Sequence, residues 1–241
     1  MSGSVLVGVV LFFLLSLWIG PGIFLVGIPF VLSRPITRVR TDKPLVALTF
    51  DDGPHPVYTE QILGILAAHG ARATFFVTAS NAERHPDIVR AIVAGGHDVQ
   101  NHSTSHRHLL SLFSCRSQYE DIRTAQEIIE RISGCSPRLY RPPMGYKTPE
   151  TFRAAARAGL VVCGWHLKGL DTVITDPDRI TALVVSRARR GSVILLHDSG
   201  SLDGTSADRS ATVRALPRII AGLAEKGLRS VTVSNLIEKE R

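Results

Sequence analysis

The chain has 241 residues, 44% of them hydrophobic and 20% charged, with a formal net charge of +7, which describes a globular protein with an apolar tail. Only 6% of residues are aromatic and no Lys/Arg block is interleaved with them, so the usual nucleic-acid surface is excluded. The three cysteines do not make a disulfide framework: Cys115 and Cys135 flank a predicted helix about 20 Å long, and Cα atoms joined by a disulfide lie within about 7 Å.

From the N-terminus, Val5 to Leu32 carries no charged residue and is long enough to cross a bilayer. Gly20-Pro21-Gly22 interrupts it, which predicts one kinked transmembrane helix and a membrane anchor over residues 1–33. A cleaved signal peptide is disfavoured, because no basic region precedes the apolar run. Residues 34–44 read as a basic linker with Arg34, Arg38, Arg40 and Lys43. By the positive-inside rule these cations place the following domain in the cytoplasm. Free thiols agree with a reducing compartment.

The third segment, 45–236, alternates strand and helix patterns. Short apolar, β-rich runs occur near Leu45–Phe50, Ala73–Thr78, His97–Asn101, Arg138–Arg141, Leu160–His166, Ser192–Leu196 and Arg229–Val233. Thr148-Pro149 and Asp176-Pro177 mark helix starts, an N-cap followed by proline at the first helical position. Ser117-x-x-Glu120 reads as a capping box for a helix over about 118–132. About seven β/α units imply a parallel sheet, closed as a barrel or open and doubly wound. The polar residues favour the barrel. Asp51 and Asp52 follow the first strand, His102 and His106 the third, Arg141 ends the fourth, Asp171 follows the fifth and His197 ends the sixth. All lie at the C-terminal ends of their strands, the face on which barrel enzymes build active sites. The predicted architecture is an α/β deformed barrel of about seven strands behind a transmembrane helix.

Two adjacent carboxylates repel unless a cation relieves them. Asp51-Asp52 therefore suggests a metal site in which one carboxylate ligates and its neighbour handles protons. His102 and His106, four apart, are predicted to share one side of a helical turn as further ligands, leaving open positions for water. His108 has a spacing less suited to the same face. Arg141, before Pro142-Pro143, supplies a fixed cation beside Asp51. Gly145 lets the backbone pass close to substrate, and an amide of the Pro143-Met144-Gly145 turn is a donor for an oxyanion. His197 is followed by Asp198, and a carboxylate beside an imidazole favours its protonated, acid form.

Together, Thr49-Phe50-Asp51-Asp52-Gly53-Pro54, His102-Ser103-x-x-His106, Arg141-Pro142-Pro143 and Leu195-Leu196-His197-Asp198 resemble the NodB-type polysaccharide deacetylases, carbohydrate esterases of deformed (β/α) barrel fold. The resemblance covers roughly residues 44 to 235, in the family's order. It implies Asp51 as general base, Asp52, His102 and His106 as ligands of a divalent metal, usually zinc, Arg141 as the group positioning Asp51, and His197 as general acid tuned by Asp171. The implied activity is metal-assisted removal of N-acetyl groups from an amino-sugar polysaccharide or glycoconjugate. The implied partners are an N-acetylated glycan or glycolipid, with the membrane held through the N-terminal helix and no nucleic acid. Such substrates usually lie outside the cell, so the sequence leaves open which side of the membrane the domain occupies.

Three positions, in two motifs, depart from the family pattern. Met144 stands where tyrosine is frequent, and Lys168-x-x-Asp171-Thr172 replaces an Asp-x-x-Asp-Trp motif whose tryptophan lines the acyl pocket. Lys168 is a candidate to pair with Asp171 and weaken its hold on His197. The sequence leaves four further readings open: a deacylase of a lipid-linked sugar, a carbohydrate O-acetyl esterase, a non-haem iron oxygenase built on the same three donors, and a glycan-binding module.

Overall fold

A computed structural model describes residues 34–107, 109–200 and 208–238. The strands are β1 (Leu45–Asp51), β2 (Ala73–Val77), β3 (Asp98–Asn101), β4 (Leu139–Tyr140), β5 (Val161–Val162), β6 (Leu167–Lys168), β7 (Val193–His197) and β8 (Arg229–Ser230). The helices are α1 (Tyr58–Ala68), α2 (Ala79–Arg84), α3 (Pro86–Ala94), α4 (Cys115–Ser133), α5 (Pro149–Arg157), α6 (Pro177–Arg187), α7 (Ser210–Glu225) and α8 (Val233–Glu238). The strands pair in parallel in the order β5-β4-β3-β2-β1-β7-β6, with β8 beside the foot of β1. The sheet curls into a half-barrel whose edges, β5 and β6, do not pair with each other.

Strand β1 is buried along its whole length, as the central strand of a parallel sheet covered on both faces must be. Its side chains alternate. Val46, Leu48 and Phe50 join Ile62 and Leu66 of α1 and Phe75 of β2 in the layer under the helices, where Phe50 stacks on Phe75 at 5.2 Å. Leu45 and Ala47 face the barrel interior with Phe76, Leu139, Cys163 and Val193. Thr49 and Asp51 continue the interior series toward the C-terminal end, where the lining turns polar.

Three local features differ from the sequence expectations. The strand expected over Leu160–His166 is split into β5 and β6, because β5 pairs with β4 whereas β6 pairs with β7 across the gap. The stretch expected to be a linker enters that gap. Ile36 N–H donates to Val162 O, Gly164 N–H to Ile36 O and Val39 N–H to Gly191 O, all at 2.8–2.9 Å, and Ile36 and Val39 pack on the interior cluster. Helix α4 starts one turn early: Ser114, not Ser117, accepts the capping bond from Ser117 N–H, and Glu120 instead pairs with Arg116. The starts of α5 and α6 follow the sequence, with Thr148 and Asp176 as N-caps accepting from Thr151 N–H and Asp178 N–H. Among the described residues no helix is long and apolar enough to cross a membrane. The expected span and the anchor over 1–33 lie outside them.

Candidate metal centre and active site

The polar end of the barrel is organised around Arg141. This arginine is fully buried and stacks its guanidinium 3.9 Å above the Phe76 ring. It donates from Nη1 to Asp51 Oδ1 at 2.6 Å and to Thr49 Oγ1 at 2.8 Å, and from Nη2 to Gly164 O at 2.8 Å. Asp51 Oδ1 is thereby taken, and Oδ2 stands 3.9 Å from His102 Nε2.

Asp52, His102 and His106 converge. Asp52 Oδ1 lies 3.3 Å from His102 Nε2 and 3.3 Å from His106 Nε2, and all three side chains are buried. His102 Nδ1 sits 2.7 Å from Arg141 O. A carbonyl accepts only, so Nδ1 carries the proton and the neutral ring turns a bare Nε2 toward the carboxylate, the tautomer that suits metal ligation. Asp52 Oδ1 is buried and accepts no hydrogen bond. Lone pairs facing one another in a dry site need a positive charge between them, so the donor set fits a divalent cation held by one carboxylate oxygen and two imidazoles. When the cation is absent a proton takes that role. Burial opposes ionisation of Asp52, yet the close approach of His102 and the His102, His197 and His106 charges hold the carboxyl at about 2. Burial likewise opposes charge on His102, which the two aspartates raise above its ordinary value.

The two histidines meet through a turn, not a helical segment as their spacing suggested. Ser103 and His106 have φ of 74° and 51°. The turn is fastened from within: Asn101 Oδ1 accepts from Ser103 N–H, Ser103 Oγ from His106 N–H and Asp121 Oδ2 from Thr104 N–H. Asp52, Met144 and Leu170 are also left-handed, at 78°, 58° and 56°. Among the described residues, all five non-glycine residues of this kind stand on loops at the C-terminal end of the barrel, strain that the surrounding hydrogen bonds hold in place. His108 lies outside the described residues.

His197 is the neighbour of Asp51 across the β1–β7 ladder. Its Nδ1 is 3.0 Å from Asp171 Oδ1, and its N–H donates to Asp171 Oδ2 at 2.7 Å. Thr212 Oγ1 donates to the same Oδ2 at 2.9 Å. Burial works against a charged imidazole, but Asp171, helped by Asp52 and Asp51, pushes His197 up to about 9. Lys168 makes no ion pair with Asp171, whose oxygens are committed to His197 and Thr212. Asp198 is not the carboxylate that acts on His197, because consecutive strand residues face opposite ways. It accepts instead from Gly53 N–H at 3.1 Å and from Thr59 Oγ1 at 2.6 Å, clamping the loop that carries Asp51 and Asp52. A Cβ at Gly53 would collide with the Asp198 carboxylate. Burial, with Asp52 and Asp51 adding, pushes Asp198 up to about 7 against the Thr59 hydrogen bond.

These groups open into a cavity of about 390 Å³ lined by Asp51, Asp52, both triad histidines and His197 and also by Met144, Trp165, Lys168 and Arg209. Pro143 is buried beneath Met144. Met144 N–H finds no acceptor among the described residues. Gly145, at φ 70°, packs so closely on Trp165 that a Cβ there would enter the indole ring. Sequence reasoning missed Trp165, Thr212, Arg209 and the clamp role of Asp198. Trp165 was hidden inside an expected strand, although it is one of only two tryptophans in the chain. Thr212 and Arg209 carry no local signal, since each reaches the site from the start of α7.

A model of the polysaccharide deacetylase family matches residues 38–163, just over half of the chain. The chain is 36% identical over 206 residues to a peptidoglycan-N-acetylglucosamine deacetylase of Bacillus cereus, covering 83% of this chain and 91% of that protein. It is 36% identical over 198 residues to a chitooligosaccharide deacetylase of Sinorhizobium fredii, covering 80% and 92%. Among solved structures, the family 4 carbohydrate esterase from Streptomyces lividans in complex with acetate superposes with a TM-score of 0.71 at 34% identity, covering 78% of this chain and 92% of that one. With an Asp-His-His centre at the mouth of a parallel half-barrel and similarity along most of its length, the chain belongs to the polysaccharide deacetylase family, hydrolases of non-peptide carbon–nitrogen bonds.

Proposed function

We propose that the protein removes N-acetyl groups from N-acetylglucosamine units of a glycan, releasing acetate and leaving a free amine. The observation that carries this reading is the convergence of Asp52, His102 and His106 beside two proton-transfer groups, Asp51 and His197. The similarity to deacetylases acting on peptidoglycan and on chitooligosaccharides supports the substrate class.

Zinc is the divalent ion proposed for Asp52, His102 and His106, which would hold it, and once bound it would supply Lewis acidity. Asp51, with one oxygen held by Arg141, uses the other to take a proton as water attacks the carbonyl carbon. The Met144 amide, in the turn that follows Pro143, donates to the oxygen that gains charge. His197, kept protonated by Asp171, gives its proton to the amine nitrogen as the C–N bond breaks. The step balances: one water is consumed, the acyl carbon leaves as acetate, and the sugar nitrogen gains hydrogen.

The uncharged apolar stretch over 5–32 supports single-pass attachment to a membrane, with the catalytic domain over 45–236. Protease accessibility of the domain in intact cells and in inverted vesicles reads its side. The activity is tested by measuring acetate released from N-acetylglucosamine oligomers and from peptidoglycan by the purified protein, with zinc added or chelated. Release that disappears with the chelator and returns with zinc supports the reading. Binding of the glycans without acetate release overturns it.

A further inference from the structure

The exposed apolar side chains of the barrel are gathered at one end. Nine large ones are exposed among the described residues, and eight of them stand between a strand and the helix that follows it. Because the strands are parallel, all such loops leave the sheet at the end that carries Asp52, His102 and His106. Leu109 and Leu112 follow β3, Met144 and Tyr146 follow β4, and Leu170 and Val173 follow β6. The ninth, Val161, lies on the edge strand β5, and no described loop from a helix back to a strand carries one. Met144 and Leu170 also line the cavity, so the apolar rim begins at its edge.

The chemistry of these loops selects what covers them. Residues 102–114, 141–148 and 168–175 hold one carboxylate, the buried Asp171, and besides the buried Arg141 they hold the cations Arg107, Lys147 and Lys168. Apolar side chains interspersed with cations and free of exposed acids match the headgroup boundary of an anionic bilayer. There apolar groups enter the acyl edge while the cations stay with the lipid phosphates. A second copy docked through the same face would set like charges against each other. A sugar finds few ring faces to stack on, since the three most exposed members, Val173, Leu112 and Leu109, are aliphatic and Arg107 covers the Phe113 ring at 4.6 Å. The chain before residue 34 supplies a tether. Ile36 is bonded to Val162 O and to Gly164 N–H, at the C-terminal end of β5. Leu32, the end of the uncharged apolar stretch, comes four residues earlier, a reach of no more than about 14 Å.

We propose that the mouth of the barrel docks on an anionic bilayer surface, with Leu109, Leu112, Leu170 and Val173 entering the headgroup boundary. This rests on the membrane attachment proposed above, and it turns the cavity toward the lipid.

The test uses the full chain in vesicles of phosphatidylglycerol and phosphatidylcholine that contain a lipid spin-labelled near its headgroup. A fluorophore is attached at Leu112→Cys or at Val173→Cys, each with Cys115→Ser and Cys135→Ser. The control is labelled at the native, exposed Cys135, on the loop from α4 to β4 at the other end of the barrel, with Cys115→Ser alone. Cys163 is buried and takes no label. Quenching at 112 and at 173 is expected to exceed that at 135 about threefold or more, and the excess to shrink at high salt or without phosphatidylglycerol. Adding Val173→Glu to the chain labelled at 112 is expected to cut its quenching about twofold. The two labelled positions lie on different loops, so if one variant fails to fold the other decides. Equal quenching at all three positions, or more at 135, overturns the docking and leaves membrane attachment standing. Labels at 112 and 173 that ignore the lipid but respond to an N-acetylglucosamine tetramer assign the rim to glycan and overturn it. Self-quenching that rises with protein density assigns it to a second copy and overturns it too. A chain that does not stay with the vesicles overturns both the docking and the attachment.

Discussion

Arg141 and Asp51 meet at 2.6 Å inside the barrel, a guanidinium with no exposed surface against a carboxylate that is 3% exposed. Removing the cation alone leaves an uncompensated buried charge. Arg141→Ala is therefore expected to lose about 3–5 kcal/mol of stability, read by chemical denaturation. Arg141→Lys keeps the charge but not the reach to Thr49, Asp51 and Gly164 together, and is expected to fall between wild type and Arg141→Ala.

Asp51 stands beside the triad without being one of its three donors. Asp51→Asn is expected to bind zinc as the wild type does, by calorimetric titration, while acetate release falls about a hundred- to ten-thousand-fold. Wild-type turnover in this variant would remove Asp51 as the base.

His197 carries its proton up to about 9 because Asp171 outweighs the cost of burial. An acid must be protonated to act, so the rate should hold through neutral pH and fall as pH rises past that value. Asp171→Asn removes the charge that raises the imidazole. The alkaline limb of kcat should then move down toward the ordinary histidine range near about 6.5.

Asp198 behaves in the opposite sense to a paired carboxylate. Its folded value, about 7, lies above the ordinary value of 3.8. Between those values the folded chain holds a proton that the unfolded chain has lost, so its contribution to stability is present below 3.8 and disappears as pH rises through 7. Asp198→Asn keeps an acceptor for Gly53 N–H and does not ionise. Thermal melting of metal-free protein from pH 4 to pH 8 should show a flatter profile for the variant, and a higher Tm than wild type at pH 8.

A divalent cation such as zinc would bind the folded donor set and not the dispersed unfolded one. At about one hundred times Kd it should stabilise by about 2.7 kcal/mol, seen as a rise in Tm that Asp52→Ala abolishes. Protons compete for the same atoms, and His102 holds its proton more tightly than a free imidazole. The rise should therefore shrink as pH falls.

The buried apolar runs of β1 and β7 and the proline-marked starts of α5 and α6 were legible because burial and capping leave local marks. So was the placement of Asp51, Asp52, His102, Arg141 and His197, since each is the last residue of its strand or the one after it. The two-residue strands β5 and β6 were not, because pairing with different neighbours across a gap is decided by the sheet and not by the residues between them. The same holds for residues 36–39, whose basic composition suggested a linker while Ile36 and Val39 carried the packing. The His102–His106 turn was misread as helical because four-residue spacing does not reveal the side-chain acceptors, Asn101 and Ser103, that fold it. Asp198 was assigned to the wrong partner because adjacency in sequence is not adjacency across a strand.

Gly145 and Trp165 fill one another's space, with no room for even a methyl group between them. Drift at these two positions is therefore coupled: a chain that gains a side chain at 145 must shrink the ring at 165, and in doing so it remodels the cavity wall. Related sequences should vary at these two sites as a matched set, making the pair a marker for groups of enzymes with differently shaped mouths.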